Sequence, residues 1–233
     1  MLKAYGIIAA GGSGKRMGAD VPKQLLELEG ITIFERSLRP FLRCPDIEGI
    51  VVVAAAAFFV HINAVIENIS DKATSISVVE GGAERQDSVR NGLEAVPGDV
   101  DVVVIHDAVR PFITSGLISE CVQSAFDYGA VCVMRPLKET LKSVSGSIVR
   151  KTLDRSTLWI AQTPQAFDRK LLLEAHQHAV TKNITGTDDC MLVELLGKPV
   201  HIIEGSDMNI KITTPADLKI AAAVLAMFTE LED

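Results

Sequence analysis

The chain has 233 residues, 48% of them hydrophobic and 23% charged, a length and balance that suit one large domain with a real core. A formal net charge of −7 and only 5% aromatic residues argue against a general nucleic-acid binder or a stacking platform for single strands. No apolar run is long enough to span a membrane, and the run at 5–10 is too short for a signal-peptide core, so a cytoplasmic protein is expected.

The first element is a strand over residues 5–10 of "AYGIIAAGGSGKRMG", which collapses into Gly11, Gly12, Ser13 and Gly14 and then meets Lys15 and Arg16. Glycines after a strand gather backbone N–H donors into an anion-binding concavity, so phosphate is the expected ligand. The loop belongs to neither common phosphate class. Arg16 follows Gly14-Lys15 where a Walker loop needs a hydroxyl, and Met17 takes the last glycine place of a dinucleotide pattern starting at Gly12. A tight strand-to-helix turn is the plain alternative. "VPKQ" follows, with Pro22 fixing chain direction and Lys23 still near the first loop.

Strands are then expected over 49–54, 76–79, 102–106, 130–134 and 200–204, with amphipathic stretches at 33–44, 60–69, 87–96 and 117–128. β-branched runs such as "VDVVVIHD" suit parallel strands buried on both faces, and the alternation implies a doubly wound α/β sheet. Ligands of such sheets bind outside the carboxyl ends of the strands. Three strand ends carry polar signals. After 76–79 come Gly81 and Gly82, with Ser88 inside the next helix, able to approach a base edge or simply to form a turn. Asp107 ends the most hydrophobic strand, where a lone buried carboxylate would be costly. A metal ion, a ribose hydroxyl or Arg110 can partner it.

Residues 135–167 break the alternation. Short runs flank Ser145-Gly146-Ser147 and read as an inserted β-hairpin arm at about 136–158, whose Leu137, Leu141, Val144, Ile148 and Val149 call for cover by a partner subunit. "ITGTDDCML" reads as a helix cap in which Thr187 can serve twice, and "TTPADL" opens a final helix that packs. Lys211, in "MNIKIT", is flanked by nothing that needs a cation for packing; the bland reading pairs it with Asp207. Cys44, Cys121, Cys132 and Cys190 share no Cys-x-x-Cys spacing and read as core residues. The five histidines show no metal spacing and none is given a catalytic role.

Taken in order, "AAGGSGKRMG", "PKQ", "GGAERQDSV", "HDAVRP", "LDRSTLW", "QTPQAF", "TDD" and "NIKITTPADL" closely resemble the 2-C-methyl-D-erythritol 4-phosphate cytidylyltransferase family of non-mevalonate isoprenoid biosynthesis. The resemblance implies a single domain over 1–233 with a Rossmann-like nucleotidyltransferase sheet of the nucleotide-diphospho-sugar transferase type. It further implies a homodimer held by the arm, magnesium as cofactor, and CTP and methylerythritol phosphate as substrates. By resemblance Ala10, Gly11, Gly12, Ser13, Gly14, Lys15 and Arg16 wrap the triphosphate, and Gly82, Ala83 and Ser88 meet cytosine. Asp107 and Ala108 lie near the ribose and reaction centre, with Asp107 as a metal ligand. Arg16 and Lys23 match the transition-state cations, and Arg155 and Lys211 position the substrate phosphate, with Arg110, Thr140 and Thr187 around methylerythritol. Ala83 stands where some relatives carry an acid, so its contact would be through backbone. A ribitol-5-phosphate cytidylyltransferase, which shares "HDAVRPF", is the nearest alternative; a non-catalytic nucleotide-binding dimerisation module is the alternative of another class.

Overall fold

The computed structural model describes residues 2–12, 22–69 and 74–229. In chain order the strands are β1 (Ala4–Ala9), β2 (Glu27–Leu28), β3 (Ile31–Thr32), β4 (Ile47–Ala54), β5 (Ser75–Glu80), β6 (Val102–Asp107), β7 (Ala130–Pro136), β8 (Lys142–Ser145), β9 (Ile148–Thr152), β10 (Trp159–Asp168) and β11 (His201–Glu204). The helices are α1 (Ile33–Leu42), α2 (Phe59–Asn68), α3 (Arg85–Ala95), α4 (Ser115–Tyr128), α5 (Arg169–Lys182), α6 (Asp189–Leu195) and α7 (Pro215–Thr229).

Seven strands form one sheet in the order β11-β7-β10-β6-β1-β4-β5. Only β10 runs antiparallel to its neighbours. Alternating side chains divide the core into two layers, as the strand period of two requires. Ile8, Val52 and Val104 face Phe34 and Phe41 of α1, Ile62 of α2 and Ile118 of α4. Ile7, Val53 and Ile105 face Leu93 of α3, Leu172 of α5 and Val193 of α6. Helices on both faces make this the doubly wound, Rossmann-like, mostly parallel α/β fold. A third cluster packs α7, through Ala221 and Leu225, onto Leu28, Ile33, Val109 and Ile212. Thr214 begins α7 as expected, its Oγ1 accepting from the Asp217 N–H, while Asp217 accepts in return from the Thr213 and Thr214 N–H groups.

The return of the arm differs from the sequence reading. Residues 159–168 are not hairpin; they form β10 in the middle of the sheet, between β6 and β7. Gln162, Thr163 and Gln165 are buried there, so the stretch lacks the apolar run that marks a central strand. Side-chain hydrogen bonds offset their burial: Gln162 donates to the Ser206 carbonyl at 2.8 Å, and Thr163 Oγ1 meets His106 Nδ1 at 2.9 Å. The hairpin proper is β8 with β9, closed by a two-residue turn whose Gly146 sits at φ +61°. Every residue of both strands is exposed.

Candidate active site

β6, β1, β4 and β5 lie in that order across the sheet and end at Asp107, Ala9, Ala54 and Glu80, and the segments that follow β1, β5 and β6 line a cleft of about 420 Å³. β6 and β4 flank β1 on opposite sides, so the chain leaves β1 in both directions across the sheet. Ligands of doubly wound sheets bind at such a switch point.

The loop after β1 supplies Ala10, Gly11 and Gly12 to the cleft. Gln24 holds it there. Its buried amide donates to the Ala10 carbonyl at 2.6 Å and to that of Gly12 at 3.2 Å. Because Gln24 stands in the 3-10 turn Lys23–Leu25, the same anchor brings Lys23 to the cleft wall. Ser13, Gly14, Lys15 and Arg16 lie outside the described residues.

On the β5 side Gly82, Ala83 and Ser88 line the cleft. A Cβ on Gly82 would stand 2.2 Å from that of Asp87, so only glycine lets the loop turn this tightly onto α3. The Ser88 hydroxyl donates to the Glu84 carbonyl at 3.0 Å and accepts the Gly82 N–H at 3.1 Å. It thereby fixes the glycine loop against the start of α3.

Asp107 is the electrostatic centre. Its carboxylate receives Lys211 Nζ at 2.6 Å, Arg85 Nε at 3.5 Å and Arg110 Nε at 3.8 Å. Burial works to raise its pKa, but the charges of Lys211, Arg85 and Arg110 outweigh it and hold the carboxyl well below the usual carboxylate range. The sequence reading that paired Asp107 with Arg110 names the most distant of the three, and the one pairing Lys211 with Asp207 is wrong. Asp207 meets Lys138 and Arg135, while Lys211 turns inward to Asp107. Its direction follows from its neighbours. The Asn209 carbonyl accepts from Arg110 at 2.7 Å, and the Ile212 N–H donates to Val109 at 2.9 Å, so the segment is pinned on both sides of Lys211.

His106 backs this centre without entering it. The Asp107 N–H donates to Thr163 Oγ1, which leaves the Thr163 proton for His106 Nδ1; Nε2–H then donates to the Arg110 carbonyl at 3.0 Å. Burial pushes the imidazole pKa down to about 4, despite the attraction of Asp107, and the ring stays neutral.

Sequence reasoning missed Arg85. Besides Asp107 it meets Asp189 at 2.7 Å, and Asp189, 1% exposed, also faces His176 Nε2 at 3.2 Å. The signal lay in "AERQDS" and "TDD", whose charges look like ordinary helix-start residues. Asp188 does cap α6, accepting the Met191 N–H at 3.0 Å, and Asp189 is free to turn to Arg85.

The remaining expected residues fall elsewhere. Arg110 lies beneath the cleft, and Ala108 lines it. Thr187 is exposed on the turn before α6, its amide and hydroxyl facing Met191 Sδ. Thr140 and Arg155 belong to the arm region; Arg155 is exposed, donates to the Lys138 carbonyl and does not line the cleft of its own chain.

A doubly wound sheet whose switch-point cleft combines a glycine loop, two lysines and a neutralised buried Asp defines a nucleotidyltransferase. The particular family is then plain. The profile of the IspD family, 2-C-methyl-D-erythritol 4-phosphate cytidylyltransferase, matches residues 5–227, and the chain belongs to that family. A relative of that name from Syntrophus aciditrophicus is 43% identical over 224 residues, 96% of both chains. Another from Geobacillus kaustophilus is 44% identical over 220 residues, 94% of this chain and 96% of its own. Among solved structures, the 4-diphosphocytidyl-2C-methyl-D-erythritol synthase of Anaerococcus prevotii superposes with a TM-score of 0.86 at 30% identity, covering 97% of this chain and 96% of that one. The 2-C-methyl-D-erythritol 4-phosphate cytidylyltransferase of Thermus thermophilus gives 0.78 at 32%, covering 96% and 98%.

Proposed function

We infer that the chain transfers the cytidylyl group of CTP to 2-C-methyl-D-erythritol 4-phosphate, releasing pyrophosphate, in isoprenoid biosynthesis. The observation that carries this reading beyond family membership is the cleft itself, where Lys23, Lys211 and the Asp107–Arg85 pair face the backbone of Gly11 and Gly12. A substrate phosphate oxygen attacks the α-phosphorus as the bond to the β-phosphate oxygen breaks. Two anions meet, and charge builds on the phosphoryl oxygens, so cations and positioning supply the catalysis and no side-chain nucleophile is required. Lys23 and Arg16 serve the transition state, and Gly82, Ala83 and Ser88 frame the base. Lys211 is held ready by Asp107, which returns it to the same place each cycle.

Magnesium fits this donor set. Asp107 offers a hard oxygen in the cleft, and magnesium is commonly bound by one or two carboxylates together with substrate phosphates. When bound it would neutralise charge on the phosphoryl oxygens, sharing the Asp107 carboxylate with Lys211. A cytoplasmic setting suits four cysteines that are all free and buried; among the described residues no helix is long and apolar enough to cross a membrane.

The arm supports a homodimer. Val144, Ile148 and Val149 are each more than half exposed on one small hairpin, a surface that needs cover. Arg155 lies on that arm, away from its own cleft, so its role on the substrate phosphate requires the cleft of a second copy. Thr140 and Thr187 complete the methylerythritol side. The decisive assay is pyrophosphate release with each nucleoside triphosphate and each alcohol phosphate. CTP with methylerythritol phosphate should give turnover, and preference for ribitol 5-phosphate would overturn the assignment.

A further inference from the structure

Cys132 and Cys190 are 58 positions apart in sequence by subtraction of their numbers, yet β7 and the first turn of α6 bring their sulfurs together with the Asp188 carboxylate. All three donor atoms lie within 4.8 Å of one another. Two ligands bound tetrahedrally at the ~2.3 Å of a zinc–sulfur bond stand about 3.8 Å apart, so closing this triangle on an ion asks for shifts of about 1 Å at most.

A fourth group stands at the same place. Gln165 of β10 is 2% exposed, and its amide nitrogen lies 3.4 Å from Cys132 Sγ and 2.9 Å from Asp188 Oδ2. Its Oε1 is buried and has no hydrogen-bond partner among the described residues. A half-turn of the amide would exchange donor for acceptor and set that orphaned oxygen against the Cys132 sulfur. Neither cysteine takes part in the chemistry above, and Asp188 caps α6 with Oδ1, leaving Oδ2 toward the cluster.

We propose that Cys132, Cys190 and Asp188, with Gln165 as fourth ligand, form a structural site for a thiophilic divalent cation of the zinc class. Two sulfurs favour such an ion over magnesium or calcium, which take oxygen ligands. Binding forms two metal–thiolate bonds, one metal–carboxylate bond and one bond to the Gln165 amide oxygen, as the ion's water ligands and the two thiol protons leave to solvent. Two thiolates and one carboxylate against a dication leave one net negative charge. Half-buried Asp188 is where the site meets solvent. The ion would tie β7, β10 and α6 together next to Asp189, and so hold Arg85 against Asp107. It is a different ion at a different place from the magnesium of the cleft.

Cobalt(II) is the probe, titrated into the full-length chain after EDTA stripping and under reducing conditions. One equivalent should produce a near-ultraviolet thiolate-to-cobalt charge-transfer band and the intense visible bands of tetrahedral cobalt, and zinc should displace it. Loss of a direct ligand should exceed the roughly 10–100-fold effect of an outer-shell change, so Cys132→Ser and Cys190→Ser should each weaken binding at least about a hundredfold. Cys44→Ser and Cys121→Ser should leave it unchanged. Asp188→Asn preserves the helix cap, because asparagine caps as well as aspartate, and should weaken binding at least about tenfold with the circular dichroism of the parent. No charge-transfer band in the parent would overturn the site. So would a band that survives in both Cys132→Ser and Cys190→Ser, or fewer than four free thiols in the denatured parent, which would mean that the two sulfurs are joined to each other.

Discussion

The cleft and the arm both carry cations, and they treat them in opposite ways. In the cleft Lys211, Arg85 and Arg110 converge on one carboxylate that is 8% exposed, and each is steered by bonds from its own chain. On the arm Lys142, Arg150 and Lys151 stand on an exposed hairpin beside uncovered valine and isoleucine side chains, with Arg155 exposed on the segment that follows. The cleft is organised before any ligand arrives, whereas the apolar side chains of the arm find no cover among the described residues of their own chain. That contrast predicts where substitution is felt as lost stability, where as lost rate, and where only through a second subunit.

The largest effect should come from the buried side of the comparison. Asp189→Asn leaves Arg85 and His176 without their shared anion. Breaking a buried pair by one partner costs about 3–5 kcal/mol, and about 3 is expected because Arg85 keeps 30% of its side chain exposed. Denaturant melts measure it, and a loss below about 1 kcal/mol would place Asp189 with the surface acids. Acid sensitivity in the parent shares this origin. His106 is pulled down to about 4 from 6.5, so the unfolded chain binds that proton first, and stability drops as pH falls from 6.5 to about 4. The carboxyls of Asp107 and Asp189 are depressed. Burial opposes this in both, but Lys211 and Arg85 at the first and His176 and Arg85 at the second outweigh it. Their stabilisation is present above the ordinary carboxylate pKa and is lost as pH falls below it. Melts from pH 7 to pH 3 should therefore show a continuous acid decline; a flat profile above pH 4 would remove His106 from this account.

Next comes rate. Lys23→Ala deletes one oriented cation, an effect worth roughly a hundredfold in kcat by comparison with other electrostatic donors, with CTP affinity less affected. Near-parental turnover would take Lys23 out of the transition state.

These differences also explain what was legible in the sequence. The parallel strands β1, β4 and β6 could be read because each is a near-continuous apolar run, and the polar signals after β1, β5 and β6 belong to residues that line the cleft. β10 could not. Its buried Gln162 and Thr163 are satisfied by Ser206, Asn209 and His106, partners 44 or more positions away in sequence, and no local pattern announces them. Arg85 and Asp189 were hidden for a related reason. At a helix start an acid or a base is ordinary, and only the fold shows that the two ends of this pair, 104 residues apart, meet behind Asp107. For Lys211 the bland alternative of a pair with Asp207 fails because Asp207 is near in sequence and Asp107 is near in space.

A smaller effect, but a sharper one, separates the two regions by subunit. Arg155→Ala and Lys211→Ala should each raise the KM for the alcohol phosphate with CTP binding close to the parent's. Mixed in equal amounts and allowed to exchange, half of the dimers would be hybrids. Each hybrid would hold one site with both residues intact if Arg155 acts across the interface, restoring about a quarter of parental activity. No recovery would assign Arg155 to its own chain. Leu141→Asp with Ile148→Asp puts charge into the arm's apolar face, should give a monomer by sedimentation, and should abolish the recovery.

The smallest effect is expected where the arm's base meets the sheet. Asp207 draws Arg135 at 3.2 Å and also Lys138, a set of charges that on paper resembles the one around Asp107. Solvent makes the difference. Half of the Asp207 side chain and two-thirds of that of Lys138 are exposed, so water and salt already satisfy and screen these charges. Lys138 pulls the Asp207 carboxyl below its usual range, but at a half-exposed group that shift stabilises little. Asp207→Asn should leave the thermal midpoint indistinguishable from the parent's at physiological salt, with any difference appearing only when salt is removed. Asp189→Asn should keep most of its cost at either ionic strength, since the Asp189 side chain is only 1% exposed. If Asp207→Asn destabilised the chain as much as Asp189→Asn, burial would not be what separates the cleft from the arm, and the two regions would have to be distinguished by something other than water.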